Sequence, residues 1–128
     1  MKTFEWEWKS FDGLTMFAQG WAPEKEPKAV VCLVHGLGEH VGRYAHVGAA
    51  FTAAGYALLG FDLRGHGKSD APADRSSYRI SIMAKDVEAL IDHVGFDRFH
   101  LLGHSMGGGI VQEIALHYPE RLLSLTLH

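Results

Sequence analysis

One cysteine, four prolines and no long apolar run set the first limits on this 128-residue chain. A lone thiol forms no internal disulfide. Cys32 sits within Val30-Val31-Cys32-Leu33-Val34, so a buried free thiol is expected. No stretch approaches the roughly 18 apolar residues of a membrane span. Met1-Lys2-Thr3 leads straight into the alternating, charged Phe4-Glu5-Trp6-Glu7-Trp8, which is no signal peptide, and a cytoplasmic location is the default expectation. Neither sign of charge is in large excess: the net is −3, and the twelve Lys and Arg are scattered, which argues against nucleic acid or anionic lipid as a partner. His35, His40, His46, His66, His93 and His100 lack paired ligand spacing, so neither a metal site nor a cofactor is expected. Repeats and low-complexity segments are absent.

What is present is a globular composition, 47% apolar and 21% charged, with room for one domain that buries roughly two-thirds of its unfolded surface. Residues 3–9 and 14–21 alternate around the turn signal Asp12-Gly13, which predicts a hairpin. Residues 22–28, with two of the prolines, read as a linker loop. The continuous runs 29–34, 56–61 and 99–102 read as strands covered on both faces, and 121–127 as a fourth. Between them, Val47, Ala50, Phe51 and Ala54 step at helical spacing, with Gly55 as the stop. So do Ile80, Met83, Ala84, Val87, Leu90, Ile91 and Val94, and then Ile110, Val111, Ile114 and Ala115 ahead of Pro119. Strands alternating with helices imply an α/β fold with a mostly parallel sheet led by an antiparallel hairpin. Leu122, Leu123, Leu125 and Leu127 would leave an apolar edge, so either another segment covers it or this chain is a piece of a longer one, and the open edge from Leu122 to Leu127 is expected to self-associate.

The chemistry concentrates where strands end. Gly103-His104-Ser105-Met106-Gly107 stands between a β-run and a helix, the context in which Gly-x-Ser-x-Gly holds an exposed nucleophile on a strained turn. Ser105 is therefore the candidate nucleophile, and Gly103 and Gly107 are the elbow glycines that let the turn close. His35-Gly36-Leu37-Gly38-Glu39-His40 follows an earlier strand. Alone it reads as an ordinary glycine-rich turn; beside an elbow, the N–H of Leu37 with that of Met106 makes a candidate oxyanion hole. Asp62-Leu63-Arg64-Gly65-His66-Gly67-Lys68-Ser69 lacks phosphate-loop spacing, and Arg64 paired with a nearby carboxylate is the preferred reading of it. Asp62 as a displaced catalytic acid would have no free base to orient. His104 is expected to pack under the turn. After Ser105 the only acids are Glu113 and Glu120 and the only histidines His117 and His128. Glu113 and His117 share a helix that runs away from the serine, so no relay is visible.

Taken together, His35-Gly-Leu-Gly-Glu-His-Val-Gly-Arg43-Tyr44, Asp62-Leu-Arg-Gly-His-Gly-Lys-Ser69 and Gly103-His-Ser-Met-Gly-Gly108 resemble the monoacylglycerol lipase and lysophospholipase branch of the α/β-hydrolase superfamily, grouped also with serine aminopeptidase-like hydrolases. The resemblance implies a Ser–Asp–His hydrolase of fatty-acyl glycerol esters, with Ser105 as nucleophile and Leu37 and Met106 as oxyanion donors. It also implies a lid after the strand that begins near Arg121, and an acid and a base on later loops. None of these is in the sequence. Residues 1–128 are thus expected to be the N-terminal part of a single α/β-hydrolase domain, truncated before the lid and last strands and inactive alone. Epoxide hydrolases and dehalogenases of the same superfamily look for Asp where this chain has Ser105. The competing expectation is a non-catalytic fragment that pairs through its edge.

Overall fold

The structure, a computed structural model, describes residues 1–128. The hairpin forms as β1 (Lys2–Lys9) and β2 (Thr15–Ala22), antiparallel, with Trp8 opposite Met16 across the ladder. Its turn closes through the Ser10 N–H donating to the Leu14 carbonyl at 3.0 Å. Then come β3 (Val30–Val34), α1 (Ala45–Ala53), β4 (Ala57–Phe61), α2 (Ile80–Val94), β5 (Phe99–Gly103), α3 (Met106–His117) and β6 (Leu122–Leu127). The sheet order is β1-β2-β4-β3-β5-β6, with β2 antiparallel to β4 and every later pairing parallel. The predicted elements are all present, with ends shifted by a residue or two. The long loop after β4 holds one short 3-10 turn, Arg75–Tyr78.

Alternation along the strands splits the core into two layers. Cys32, Val34, Leu59 and Phe61 face α2 and α3, in a layer of 18 buried residues with Met83, Val87, Leu90, Ile91, Ile110 and Ile114. Each such side chain contributes about 1.5–3 kcal/mol on leaving water. Leu33 and Leu58 face the other way, toward α1, where only five residues are fully buried. The thinner layer leaves a cavity of about 400 Å³ beside α1, with Leu33, Val47, Leu102 and Leu127 among its walls.

Helix α1 departs from the sequence reading. Its buried residues are Gly48 and Thr52, while Val47 and Phe51 are half-buried and Ala50 and Ala54 exposed. The cause is Trp21 on β2, whose indole lies so close that a Cβ at position 48 would sit 2.5 Å from it. The helix seats on the residue without a side chain rather than on its most apolar stripe. Burial pushes the Cys32 thiol up to about 12, which leaves it protonated and unreactive. At the sheet's far edge β6 pairs only with β5, and Leu123, Leu125 and Leu127 are exposed. No helix is long and apolar enough to cross a membrane.

Candidate active site

The sheet order places the site. From β3 the chain crosses to β4 on one side, and from β4 it crosses back to β5 on the other. The loops after β3 and β5 therefore open side by side at a topological switch point, the usual ligand position in an open α/β sheet. Val34 is in register with Gly103, and the His104 N–H donates to the Val34 carbonyl at 3.0 Å. Segments some seventy residues apart in sequence thus meet at one hydrogen bond.

Ser105 has φ 55° and ψ −118°, the only non-glycine residue with positive φ. Such a backbone costs about 1–3 kcal/mol and persists only where its surroundings enforce it. Here they do so from both sides. The Ser105 N–H donates to the His128 carbonyl at 3.0 Å, and the His128 N–H to the Gly103 carbonyl at 3.0 Å. A Cβ on Gly107 would lie 2.0 Å from the Val34 carbonyl oxygen, and one on Gly103 would lie 2.5 Å from the Gly107 carbonyl oxygen. Only glycines let α3 start this close to β3. Ser105 is exposed at the head of α3, and Met106, the first residue of that helix, has an N–H without an intrahelical acceptor.

Across from the elbow, the loop after β3 is held by side chains. An ideal Cβ on Gly36 would be 3.2 Å from Ser105 Cβ, so this loop passes too close to Ser105 for a side chain to fit between them. His35, buried, donates from Nδ1 to the Gly36 carbonyl at 2.8 Å and accepts the Leu63 N–H at Nε2 at 3.0 Å. That pair of bonds requires the neutral ring protonated at Nδ1, and burial accordingly lowers its pKa. Glu39 accepts the Gly36 N–H at 2.9 Å and the Tyr44 hydroxyl at 2.9 Å. The Leu37 side chain is exposed.

The structure brings together Leu37's loop, Gly103, Ser105, Met106 and Gly107, and leaves other candidates outside. Glu113 and His117 bond each other at 3.0 Å on α3, as their spacing implied. Asp62, 2% exposed, accepts the Val41 N–H at 2.7 Å and the Lys68 N–H at 2.8 Å, tying two loops together instead of orienting a base. Arg64 does find a carboxylate: Asp86 takes its Nε and Nη2, each at 2.7 Å, and Asp12 takes Nη2 at 3.0 Å.

His104 does not pack under the turn. Its ring is half-exposed, 2.9 Å from His128 Nδ1 and 3.9 Å from Glu39, and these three residues line the mouth of the 400 Å³ cavity with Arg43 and Tyr44. It faces out because the space beneath the elbow is filled by Gly107 against β3. Sequence reasoning passed over Glu39 and His128 as site neighbours. Glu39 could have been found from its place three residues after Gly36, where a carboxylate can bend back onto the loop.

Comparison with known proteins agrees with this geometry. Residues 25–127 match the family described as Serine aminopeptidase, S33. Monoacylglycerol lipase of Mycolicibacterium smegmatis is 39% identical over 121 residues, which is 90% of this chain and 42% of that protein. An epoxide hydrolase from Vigna radiata superposes with a TM-score of 0.88 at 28% identity, over 98% of this chain and 38% of that one. The thioesterase domain from the curacin biosynthetic pathway gives 0.86 at 27% identity, over 99% and 46%. The chain spans about two-fifths of the length of such relatives. With four-fifths of its residues in the family match and an elbow at the sheet's switch point, the chain belongs to the Serine aminopeptidase, S33 family of α/β hydrolases.

Proposed function

We propose that this chain carries the nucleophile and oxyanion-binding half of a carboxylic-ester hydrolase, acting on monoacylglycerol or lysophospholipid-type fatty-acyl esters. The observation that carries the reading is Ser105, exposed at positive φ at the head of α3 and against Gly36. Ser105 Oγ would attack the ester carbonyl, its proton passing to a general base and on to the departing alcohol. The oxygen that becomes negative would be held by the N–H groups of Leu37 and Met106. Water then opens the acyl-enzyme and releases the fatty acid, and the serine recovers its proton. A hydroxyl nucleophile at this position favours acyl transfer over epoxide opening, although epoxide hydrolases are among the structural neighbours. The adjoining cavity, apolar on its Leu33, Val47 and Leu102 wall and polar at Glu39, Arg43 and Tyr44, suits an acyl ester with a hydroxylated head.

Ser105→Ala in the longest form of the protein tests this. Turnover of p-nitrophenyl esters and of a monoacylglycerol, with labelling by a fluorophosphonate probe, should vanish while the melting temperature stays close to the parent's. Parent-rate turnover in that variant would refute the assignment. Within these 128 residues no imidazole or carboxylate is bonded to Ser105 Oγ. Alone they should therefore show only the residual rate of a triad lacking its base, roughly 10³–10⁴-fold over water.

The second reading, a module that pairs through its edge, draws on the exposed leucines of β6. An unlabelled oligomer of the 128 residues in size-exclusion chromatography would favour it.

A further inference from the structure

Resting on the acyl-enzyme reading, we infer that Glu39 is a positioning residue that fixes the direction of the Leu37 N–H by gripping Gly36. The grip is double. Glu39 Oε2 accepts the Gly36 N–H at 2.9 Å, while the backbone N–H of Glu39 donates to the Gly36 carbonyl at 3.3 Å. That carbonyl also takes the His35 Nδ1–H. The carboxylate thus holds the His35–Gly36 peptide, while the Glu39 N–H and His35 Nδ1 hold the carbonyl of the Gly36–Leu37 peptide, whose N–H points the opposite way. With both peptides flanking the flexible glycine fixed, the Leu37 N–H is aimed, and losing the carboxylate frees the first of them.

The carboxylate is itself fixed. The Glu39 side chain is 17% exposed, and its other oxygen is held by the Tyr44 hydroxyl at 2.9 Å. Glu39 and Ser105 both crowd the α-carbon of Gly36: a Cβ built there would stand 2.7 Å from Glu39 Oε2 and 3.2 Å from Ser105 Cβ, so the carboxylate grips the loop at the residue that faces the elbow.

A negative charge so near a developing oxyanion costs transition-state stability unless it is compensated, and four groups compensate it. Burial by itself would raise the Glu39 pKa; the bonds from Tyr44 and Gly36 and the nearby His104 and Arg43 outweigh it and hold the carboxyl below its usual range. The Gly36 N–H needs only an acceptor oxygen, which a neutral amide also supplies, so the hydrogen bond and the charge can be separated by substitution.

That distinction sets the experiment. In the longest form of the protein, Glu39→Ala, Glu39→Gln and Ser105→Ala are compared for kcat and KM on a p-nitrophenyl ester, for inhibition by a trifluoromethyl ketone, and for melting temperature. Loss of a single oxyanion donor costs roughly 10²–10³-fold, and a misaimed donor should cost somewhat less. Glu39→Ala should lower kcat by about 10–100-fold with KM within about 3-fold, and weaken the ketone by the same factor. Glu39→Gln should restore most of both, since its amide oxygen can accept the Gly36 N–H. Should Glu39→Ala not fold, Glu39→Asp, one methylene too short to hold Gly36 in place, makes the same comparison.

The inference is overturned if Glu39→Ala keeps its kcat, if Gln is no better than Ala, or if the loss is confined to KM. A Ser105→Ala enzyme that still turns over would remove the acyl-enzyme reading and this role with it. An inactive Ser105→Ala beside a fully active Glu39→Ala would remove only the role of Glu39.

Discussion

A methyl group at position 107 should damage both fold and chemistry, and its size can be read from the geometry. The Cβ of Gly107→Ala would stand 2.0 Å from the Val34 carbonyl oxygen and 2.6 Å from that of His35, backbone atoms at the end of β3 and just beyond it. Neither can rotate away. Restoring an ordinary 3.4 Å contact requires α3 to recede by about 1.4 Å from the strand it leans on. Overpacking of this kind costs about 1–3 kcal/mol. The same displacement carries Ser105 and the Met106 N–H away from the loop at Gly36, and misplacement by about 1 Å at a reacting centre can cost some 10²-fold in rate. Gly109→Ala supplies the control, because nothing lies within 4 Å of its Cβ on the same helix. It should be neutral in rate and stabilise by about 0.5–1 kcal/mol through helix propensity. Urea unfolding of both variants, with ester turnover in the longest form of the protein, reads the contrast. If Gly107→Ala matches the parent in stability and rate, or if Gly109→Ala is as damaging, the close approach of α3 to β3 is not what holds the elbow.

Two further outcomes follow from buried groups. Asp86→Ala leaves the Arg64 guanidinium, 1% exposed, without its bidentate partner, and should lower stability by about 3–5 kcal/mol; adding Arg64→Leu should recover much of that in urea unfolding, and a loss below about 1 kcal/mol for Asp86→Ala alone would contradict the pairing. His35 is bound as the neutral ring, and burial lowers its pKa below the 6.5 of an unfolded histidine. Below that pH the unfolded chain binds the proton that the native state refuses, so stability should be flat above about pH 6.5 and fall as the pH drops toward the native value. Melting temperature against pH checks the sign, and a His35→Asn variant with an undiminished acid slope would assign the effect elsewhere.

Much of this architecture is legible in the residues, for reasons that differ from element to element. The runs at β3, β4 and β5 read clearly because strands buried on both faces leave no polar phase to confuse the period. Helix α2 read clearly because its apolar stripe has one face to cover. Helix α1 was legible as a helix but not in its orientation, since Trp21 selects Gly48 and Thr52 by shape, a property that apolar periodicity does not record. Ser105 and its glycines could be named because the elbow's backbone demands particular residues at fixed offsets. Asp86 could not: it falls within the apolar pattern of α2, and its meaning depends on Arg64, 22 residues away. The outward turn of His104 likewise depends on two loops meeting, which the strand order decides, whereas the grip of Glu39 on Gly36 is local and was open to reading from their spacing.

That strand order also has a consequence for how the molecule comes to exist. Pairing β3 with β5 brings together Val34 and Gly103, 69 positions apart, and loop closure of that length costs about 4 kcal/mol of chain entropy before any contact returns it. The meeting of Ser105 with the loop at Gly36 is therefore expected to lag behind the secondary structure of β4 and α2 during refolding, which hydrogen-exchange labelling would read. The same logarithm works in the opposite direction for variation. Doubling the length of that span would add only about 0.6 kcal/mol, so the mostly exposed stretch 71–76, beyond the bonded Asp62–Ser69 turn, can lengthen with little entropic effect on the junction where Ser105 sits.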